Sequence, residues 1–185
     1  MLFQYETKRL ILRILNPAEA DKVLDFYMRD LALFEKYEFA RVPDFYTTEF
    51  QQKTLRYEYN TALKMTTIRF YVFRKENPEQ IIGTVCLHDI WRSFYQSFEI
   101  GYKFSSEFHH QGYATEALIC ALRIGFNDLQ LHRCNAMVCV GNEPSRKLLN
   151  RLGFTEEGIC QDYLFLNNKW EDHYQYGLIA NNFKF

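Results

Sequence analysis

His109-His110-Gln111-Gly112-Tyr113-Ala114-Thr115-Glu116-Ala117-Leu118 is the stretch from which the rest of the chain can be ordered. Before it, Phe98-Glu99-Ile100-Gly101-Tyr102-Lys103-Phe104 is a β-type run of aromatic and branched residues. After it, Ala114, Leu118, Ala121, Leu122, Phe126 and Leu129 recur at helical spacing. A strand therefore runs through a short loop into a helix, with Gly112 at the junction. Glycine there permits positive φ or close approach of a ligand to the backbone. The first helical N–H groups have no intrahelical partner, and the helix dipole makes that end positive. Such a junction suits a phosphate group. An ordinary strand-to-helix connection has the same outline.

Working outward, Arg133 to Val140 reads as a further strand and Pro144 to Leu152 as a helix stopped by Gly153. Phe154 to Leu166 and Trp170 to Ile179 form a closing hairpin around Asn167-Asn168, residue types that tolerate a left-handed turn. Upstream, Thr66 to Arg74 and Ile81 to His88 form a hairpin turned at Lys75 to Glu79, and Gln96 to Phe104 continues the meander. Leu10 to Leu15 is a first strand ending at Asn16-Pro17-Ala18-Glu19, which combines an N-cap, proline at N1 and glutamate at N3. The helix after it turns Ala20, Val23, Leu24 and Tyr27 towards the core. A short helix over Leu31 to Phe39 and a longer one capped at Thr47 or Thr48, marked by Phe50, Leu55, Tyr59 and Leu63, complete the order β-α-α-α-β-β-β-α-β-α-β-β. This is a mixed α/β fold, a central sheet of about seven strands flanked by helices.

The chain's 185 residues suit a single domain over 1–185 with a sizeable core. Hydrophobic residues at 48% against 24% charged place it with globular proteins. A formal charge of −1 supplies no global field to recruit nucleic acid or an anionic membrane. Met1 to Leu10 lacks the apolar centre of a signal peptide, and no apolar run reaches transmembrane length. The five cysteines (Cys86, Cys120, Cys134, Cys139 and Cys160) form an odd set without CxxC, as buried thiols in a reducing cytoplasm do. His109-His110 lack a third ligand at metal spacing, so no metal is expected. Neither GxxxxGK[ST] nor GxGxxG occurs.

Four segments together resemble the GNAT acetyltransferases, and within them the RimJ/RimL-type branch. They are Thr7-Lys8-Arg9-Leu10-Ile11-Leu12-Arg13, Glu99 to Tyr102, Gln111 to Ala117, and Gly141-Asn142-Glu143-Pro144-Ser145 continued by Leu149 to Phe154. The resemblance covers essentially the whole chain in matching order. It implies acetyl-CoA as cosubstrate and direct acetyl transfer to an amine, without a metal. The diphosphate would meet the loop at His109, His110, Gln111, Gly112, Tyr113, Ala114 and Thr115. The family commonly has Arg or Gln where His109 stands. Backbone groups of Tyr102, Lys103 and Phe104 would pair with the pantetheine arm and polarise the thioester carbonyl. Asn142 would hydrogen-bond pantetheine, Ser145 would serve the leaving thiolate, and Glu99 would act as base, through a water. By themselves, Asn142 and Ser145 read as helix caps and Glu99 as a carboxylate at the core edge.

The resemblance places acceptor entry between Leu31 to Leu63 and Leu164 to Trp170. Phe34, Tyr37, Phe39, Phe45, Tyr46, Tyr163, Phe165 and Trp170 offer rings there, and Asp30, Glu35, Glu38, Asp162, Glu171 and Asp172 offer charge. The branch implies a protein N-terminal α-amine, such as that of a ribosomal protein. A small amine (polyamine, amino sugar or antibiotic) and a non-catalytic CoA-binding protein are the other readings. Cys134 and Cys139, in apolar surroundings, make poor acyl-carrying nucleophiles. Oligomeric state is not legible, a homodimer being one option.

Overall fold

In the computed structural model, residues 1–38, 41–166 and 168–185 are described. Eight strands make one sheet in the order β1-β2-β3-β4-β5-β6-β8-β7. Its members are β1 Gln4–Glu6, β2 Leu10–Arg13, β3 Ile68–Arg74, β4 Asn77–Trp91, β5 Ser97–Phe104, β6 Arg133–Cys139, β7 Thr155–Leu166 and β8 Lys169–Ile179. Every pairing is antiparallel except β5 with β6. The extra strand relative to the expected seven is β1. It has three residues, lies on the sheet edge and buries little, so the period-2 signal is too short to read from sequence.

Between β2 and β3 come α1 Ala20–Arg29, α2 Leu31–Glu35 and α3 Thr48–Leu63. Asn16 Oδ1 accepts from the Ala18 N–H at 2.9 Å, and a short 3-10 turn at Pro17–Glu19 leads into α1. Thr47 caps α3, its hydroxyl accepting from the Phe50 N–H at 3.2 Å. Two inward faces differ from expectation. Phe26, not Leu24, completes the buried side of α1, and α3 buries Gln51, Leu55 and Ala62 while Leu63 is exposed. Gln51 is tolerated inside because its amide donates to the Phe45 carbonyl at 2.6 Å. The second helix stops at Glu35, and Phe39, its expected end, lies outside the described residues.

Helix α4 runs Tyr113–Arg123 and continues through a π turn at Ile124–Asp128. Helix α5 spans Glu143–Arg151 and ends on Gly153, whose φ of +89° is the left-handed value a C′ residue adopts. Residues of α4 and α5 (Leu118, Leu122, Leu149) share one core cluster with Phe98, Ile100 and Val138 of the sheet. Residues of α1 to α3 (Val23, Phe26, Phe34, Leu55) form a second cluster with Tyr71 and Phe73. In the closing hairpin Asn168 has a φ of +64°, whereas Asn167 lies outside the described residues.

Candidate active site

Parallel strands β5 and β6 pair over only three positions, Ser97↔Arg133, Phe98↔Cys134 and Glu99↔Asn135. Beyond Glu99 both continue, to Phe104 and Cys139, without pairing to each other. On its other edge β5 stays paired to β4 through Val85↔Tyr102, Thr84↔Lys103 and Gly83↔Phe104. The sheet therefore splits just after Glu99. An unpaired strand edge presents backbone donors and acceptors to anything that enters.

Because β5 and β6 point the same way, the helices that follow them, α4 and α5, both begin at the open end of the split. Gly112, the residue before α4, has a φ of +79° and His110 a φ of +60°, two left-handed positions around Gln111. Such alternation curls N–H groups into an anion-binding concavity. Gln111 braces the turn by donating its side-chain amide to the Glu107 carbonyl at 2.8 Å. The His109 ring is committed elsewhere, its Nε2 being 2.9 Å from the Phe104 carbonyl oxygen. At α5, Asn142 Oδ1 accepts from the Ser145 N–H at 3.3 Å, so Asn142 does cap the helix. Any hydrogen bond it gives to a ligand must come from its Nδ2. Ser145 Oγ lies 2.7 Å from the Tyr102 hydroxyl, which ties β5 to α5 across the split.

Side chains alternate along β5. Phe98 and Ile100 join the cluster beneath α4 and α5, with Tyr102 packed against it, and Glu99, Gly101 and Lys103 face the other way. Glu99 and Ser145 thus approach the split from opposite faces of the sheet. Opposite Glu99 on β4 stands His88, its Nε2 3.8 Å from Glu99 Oε1 and its Nδ1 2.9 Å from Asp89 Oδ2. Burial raises the pKa of Glu99 and the Asp89 charge adds to it, while His88 opposes. The Tyr163 phenol is shifted up by burial and by the Glu99 charge, and its ring packs on His173 with centroids 5.1 Å apart. His173 pairs with Cys139, so this part of the closing hairpin runs beside the end of β6 that has parted from β5.

Of the residues that the sequence offers, Tyr102 and Ser145 meet at 2.7 Å, Glu99 stands where β5 and β6 part, Asn142 caps α5 and the loop precedes α4. Sequence reasoning missed His88 and Asp89. Only the β4–β5 register puts His88 across from Glu99, and nothing in the local sequence signals it. The residues that sequence offered for the acceptor fare differently. Phe34 and Phe45 are buried in the α1 cluster, and Phe165 pairs with Trp170 on the surface, centroids 5.5 Å apart. Asp30 accepts from Ser106 N and Oγ at 3.0 and 2.6 Å. Glu35 binds the Tyr46 hydroxyl at 2.6 Å, Glu38 pairs with Lys103 and Arg41, and Glu171 with Lys169 at 2.7 Å. Asp172 accepts from the Asp162 N–H at 2.9 Å. These carboxylates hold the fold, which lowers their standing as amine hooks. Cys134 and Cys139 are buried, and burial raises both thiol pKa values, against the thiolate an acyl carrier needs. Among the described residues no group of three or more His, Cys, Asp or Glu side chains is set to hold a metal.

Residues 9–155 match the model of the acetyltransferase (GNAT) domain, and the chain belongs to that family. It is 31% identical to the "Probable N-acetyltransferase YjcK" of Bacillus subtilis (strain 168) over 166 residues, 90% of this chain and 91% of that relative. Among solved structures it is similar to the ribosomal-protein-S5-alanine acetyltransferase of Vibrio fischeri, at a TM-score of 0.90 and 28% identity over 98% of each chain. It is also similar to Mycobacterium smegmatis RimJ in complex with CoA-disulfide, at a TM-score of 0.87 and 25% identity, covering 93% of this chain and 82% of that one.

Proposed function

We propose that this chain moves the acetyl group of acetyl-CoA directly onto a primary amine, and that the amine is the N-terminal α-amine of a protein in the cytoplasm. The observation that carries the reading is the parting of β5 and β6 immediately past Glu99. A thiol-terminated arm laid along the unpaired edge at Tyr102 to Phe104 would end beside that carboxylate. Its diphosphate would sit on the His110 to Thr115 turn, where N–H groups and the helix dipole favour negative charge. The similarity to a structure holding a CoA-disulfide, and to an enzyme named for a ribosomal-protein alanine, supports donor and acceptor class respectively.

In the transfer, the amine nitrogen attacks the thioester carbonyl, a C–N bond forms and the C–S bond breaks. Glu99 takes the ammonium proton, directly or through a water, before attack. N–H groups on the open edge of β5 stabilise the oxyanion as it develops. Ser145, 2.7 Å from the Tyr102 hydroxyl, hydrogen-bonds the departing sulfur and relays to it the second proton that the amine nitrogen sheds, so that CoA leaves as the thiol. An α-amine has a pKa of about 8 and lysine one of about 10.4. A single carboxylate, even with its pKa raised by burial, suits the more acidic amine.

Three measurements bear on this. Saturating acetyl-CoA, at about 100 times its Kd, adds about 2.7 kcal/mol to stability and so raises Tm by about 5–10 °C for a chain of this length. An unshifted melting curve removes acetyl-CoA as ligand. Ser145→Ala lowers kcat by about 2–10-fold, the value of one hydrogen bond, with KM for acetyl-CoA nearly kept. A thiol has a pKa of about 8.5, so it leaves with little help, and an unaltered kcat would take Ser145 out of the chemistry. Thiol release against peptides with free N-termini, polyamines and aminoglycosides decides the acceptor. Turnover confined to the small amines overturns the protein N-terminus.

A further inference from the structure

One cluster beside the loop is not used by the chemistry above. The Thr7 hydroxyl donates to Glu116 Oε1 at 2.6 Å, and the Arg9 backbone N–H donates to the same oxygen at 2.8 Å. Arg9 Nε donates to Glu116 Oε2 at 2.6 Å, and its Nη1 donates to the Gln111 carbonyl at 3.0 Å. The guanidinium lies over the Tyr113 ring, 4.4 Å from the centroid. One arginine, more than a hundred residues away in sequence, thus touches the loop at its backbone, at the first residue of α4 and at the acid of the first helical turn.

Peptide geometry shows what this does. In a trans peptide the C=O and the following N–H point in opposite directions, and there is no cis bond among the described residues. Arg9 holds the Gln111 carbonyl, so the Gly112 N–H must point away from Arg9. Charge matters as well. Glu116 sits in the first turn of α4, where its carboxylate opposes a bound polyanion. The Arg9–Glu116 contact offsets that charge.

We infer that Arg9 is the positioning residue of the diphosphate loop: it aims the Gly112 N–H at the ligand and neutralises Glu116 beneath it. The inference rests on the proposed role of the loop as the CoA diphosphate site. It also accounts for the joint presence of Thr7-x-Arg9 in the first strand region and Glu116 in the helix, which neither segment explains alone.

The test compares two acetyl donors on the intact chain, acetyl-CoA and S-acetylpantetheine, which lacks the diphosphate. Arg9→Met is expected to raise KM for acetyl-CoA about tenfold or more with kcat at saturation nearly kept. It should leave kcat/KM for S-acetylpantetheine within about twofold. Arg9→Lys keeps a charge without the fork and should fall between wild type and Arg9→Met. Glu116→Gln added to Arg9→Met should recover part of the loss by removing the uncompensated carboxylate. An equal loss with both donors means a general structural effect and overturns the inference. So does an Arg9→Met enzyme with wild-type KM for acetyl-CoA. If wild type itself shows no binding of CoA by calorimetry, the reading of the loop is what has failed.

Discussion

Glu99→Gln should lower kcat by about 10²–10⁴-fold at neutral pH, the span ordinarily lost with a general base. The pH profile carries the sharper signature. A base works deprotonated, so the wild-type rate falls as pH drops through the Glu99 pKa. Burial is the main cause that raises this pKa above the ordinary carboxylate value of about 4.3, with Asp89 adding and His88 opposing. The acid limb of kcat/KM should therefore lie above the usual carboxylate range. In the variant that limb disappears, and ionisation of the acceptor amine alone shapes the remainder. Rates measured from pH 5 to 9 decide it, and a variant with the wild-type acid limb would acquit Glu99.

The same substitution has a consequence for stability with a definite sign. A carboxyl whose folded pKa is raised favours the native state below its unfolded pKa and disfavours it once pH exceeds the folded pKa. At neutral pH Glu99 is thus a charge kept half-buried at some cost to the fold. Glu99→Gln should leave Tm unchanged or raise it at pH 7, and the difference should shrink as pH falls into the carboxylate range. A more active site and a slightly less stable protein would then have one cause.

Gly112→Val should abolish measurable acetyl-CoA binding while the protein still folds. Gly112 has a φ of +79°, where a β-branched residue is strained by about 1–3 kcal/mol. A Cβ there would come 3.4 Å from Arg9 Nη2, in contact with the side chain that holds the Gln111 carbonyl, so the strain comes from the backbone conformation. Relaxing that strain would move position 112 out of the left-handed region and with it the convergence of the N–H groups around it. Each charge-assisted hydrogen bond to a phosphate is worth about 1.5–3 kcal/mol, so losing two or three weakens binding by about 10²-fold or more. Calorimetry with CoA, alongside circular dichroism to show the fold intact, reads this directly. Undiminished affinity in a folded variant would mean the diphosphate lies elsewhere.

The site is legible from sequence where its parts are local. Asn16, Thr47 and Asn142 each cap a residue two or three positions ahead. Gly112, immediately before α4, and Gly153, immediately past the end of α5, both take positive φ. These features depend on neighbours along the chain, so a pattern of residue types suffices to find them. Strand β1 was missed for the converse reason, since three residues on an exposed edge leave no pattern.

What decides the chemistry is not local. His88 meets Glu99 through the β4–β5 register, and Tyr102 meets Ser145 across 43 residues. Slipping a strand by one residue would turn Glu99 into the core and Ile100 into the split. The β3–β4 turn, expected over Lys75 to Glu79, is in fact closed by Asn77 pairing with Arg74, which no composition of that turn announces. Sequence alone determined the order of elements from β2 onward, the glycine-bearing loop and the family to which the chain belongs. Tertiary structure alone decided that β5 and β6 part after Glu99, that Arg9 reaches Glu116 and the Gln111 carbonyl, and that most of the acids offered for the acceptor are already paired. The reason is physical: hydrogen-bond register and burial couple residues far apart in the chain, and their energies exist only once the sheet has formed.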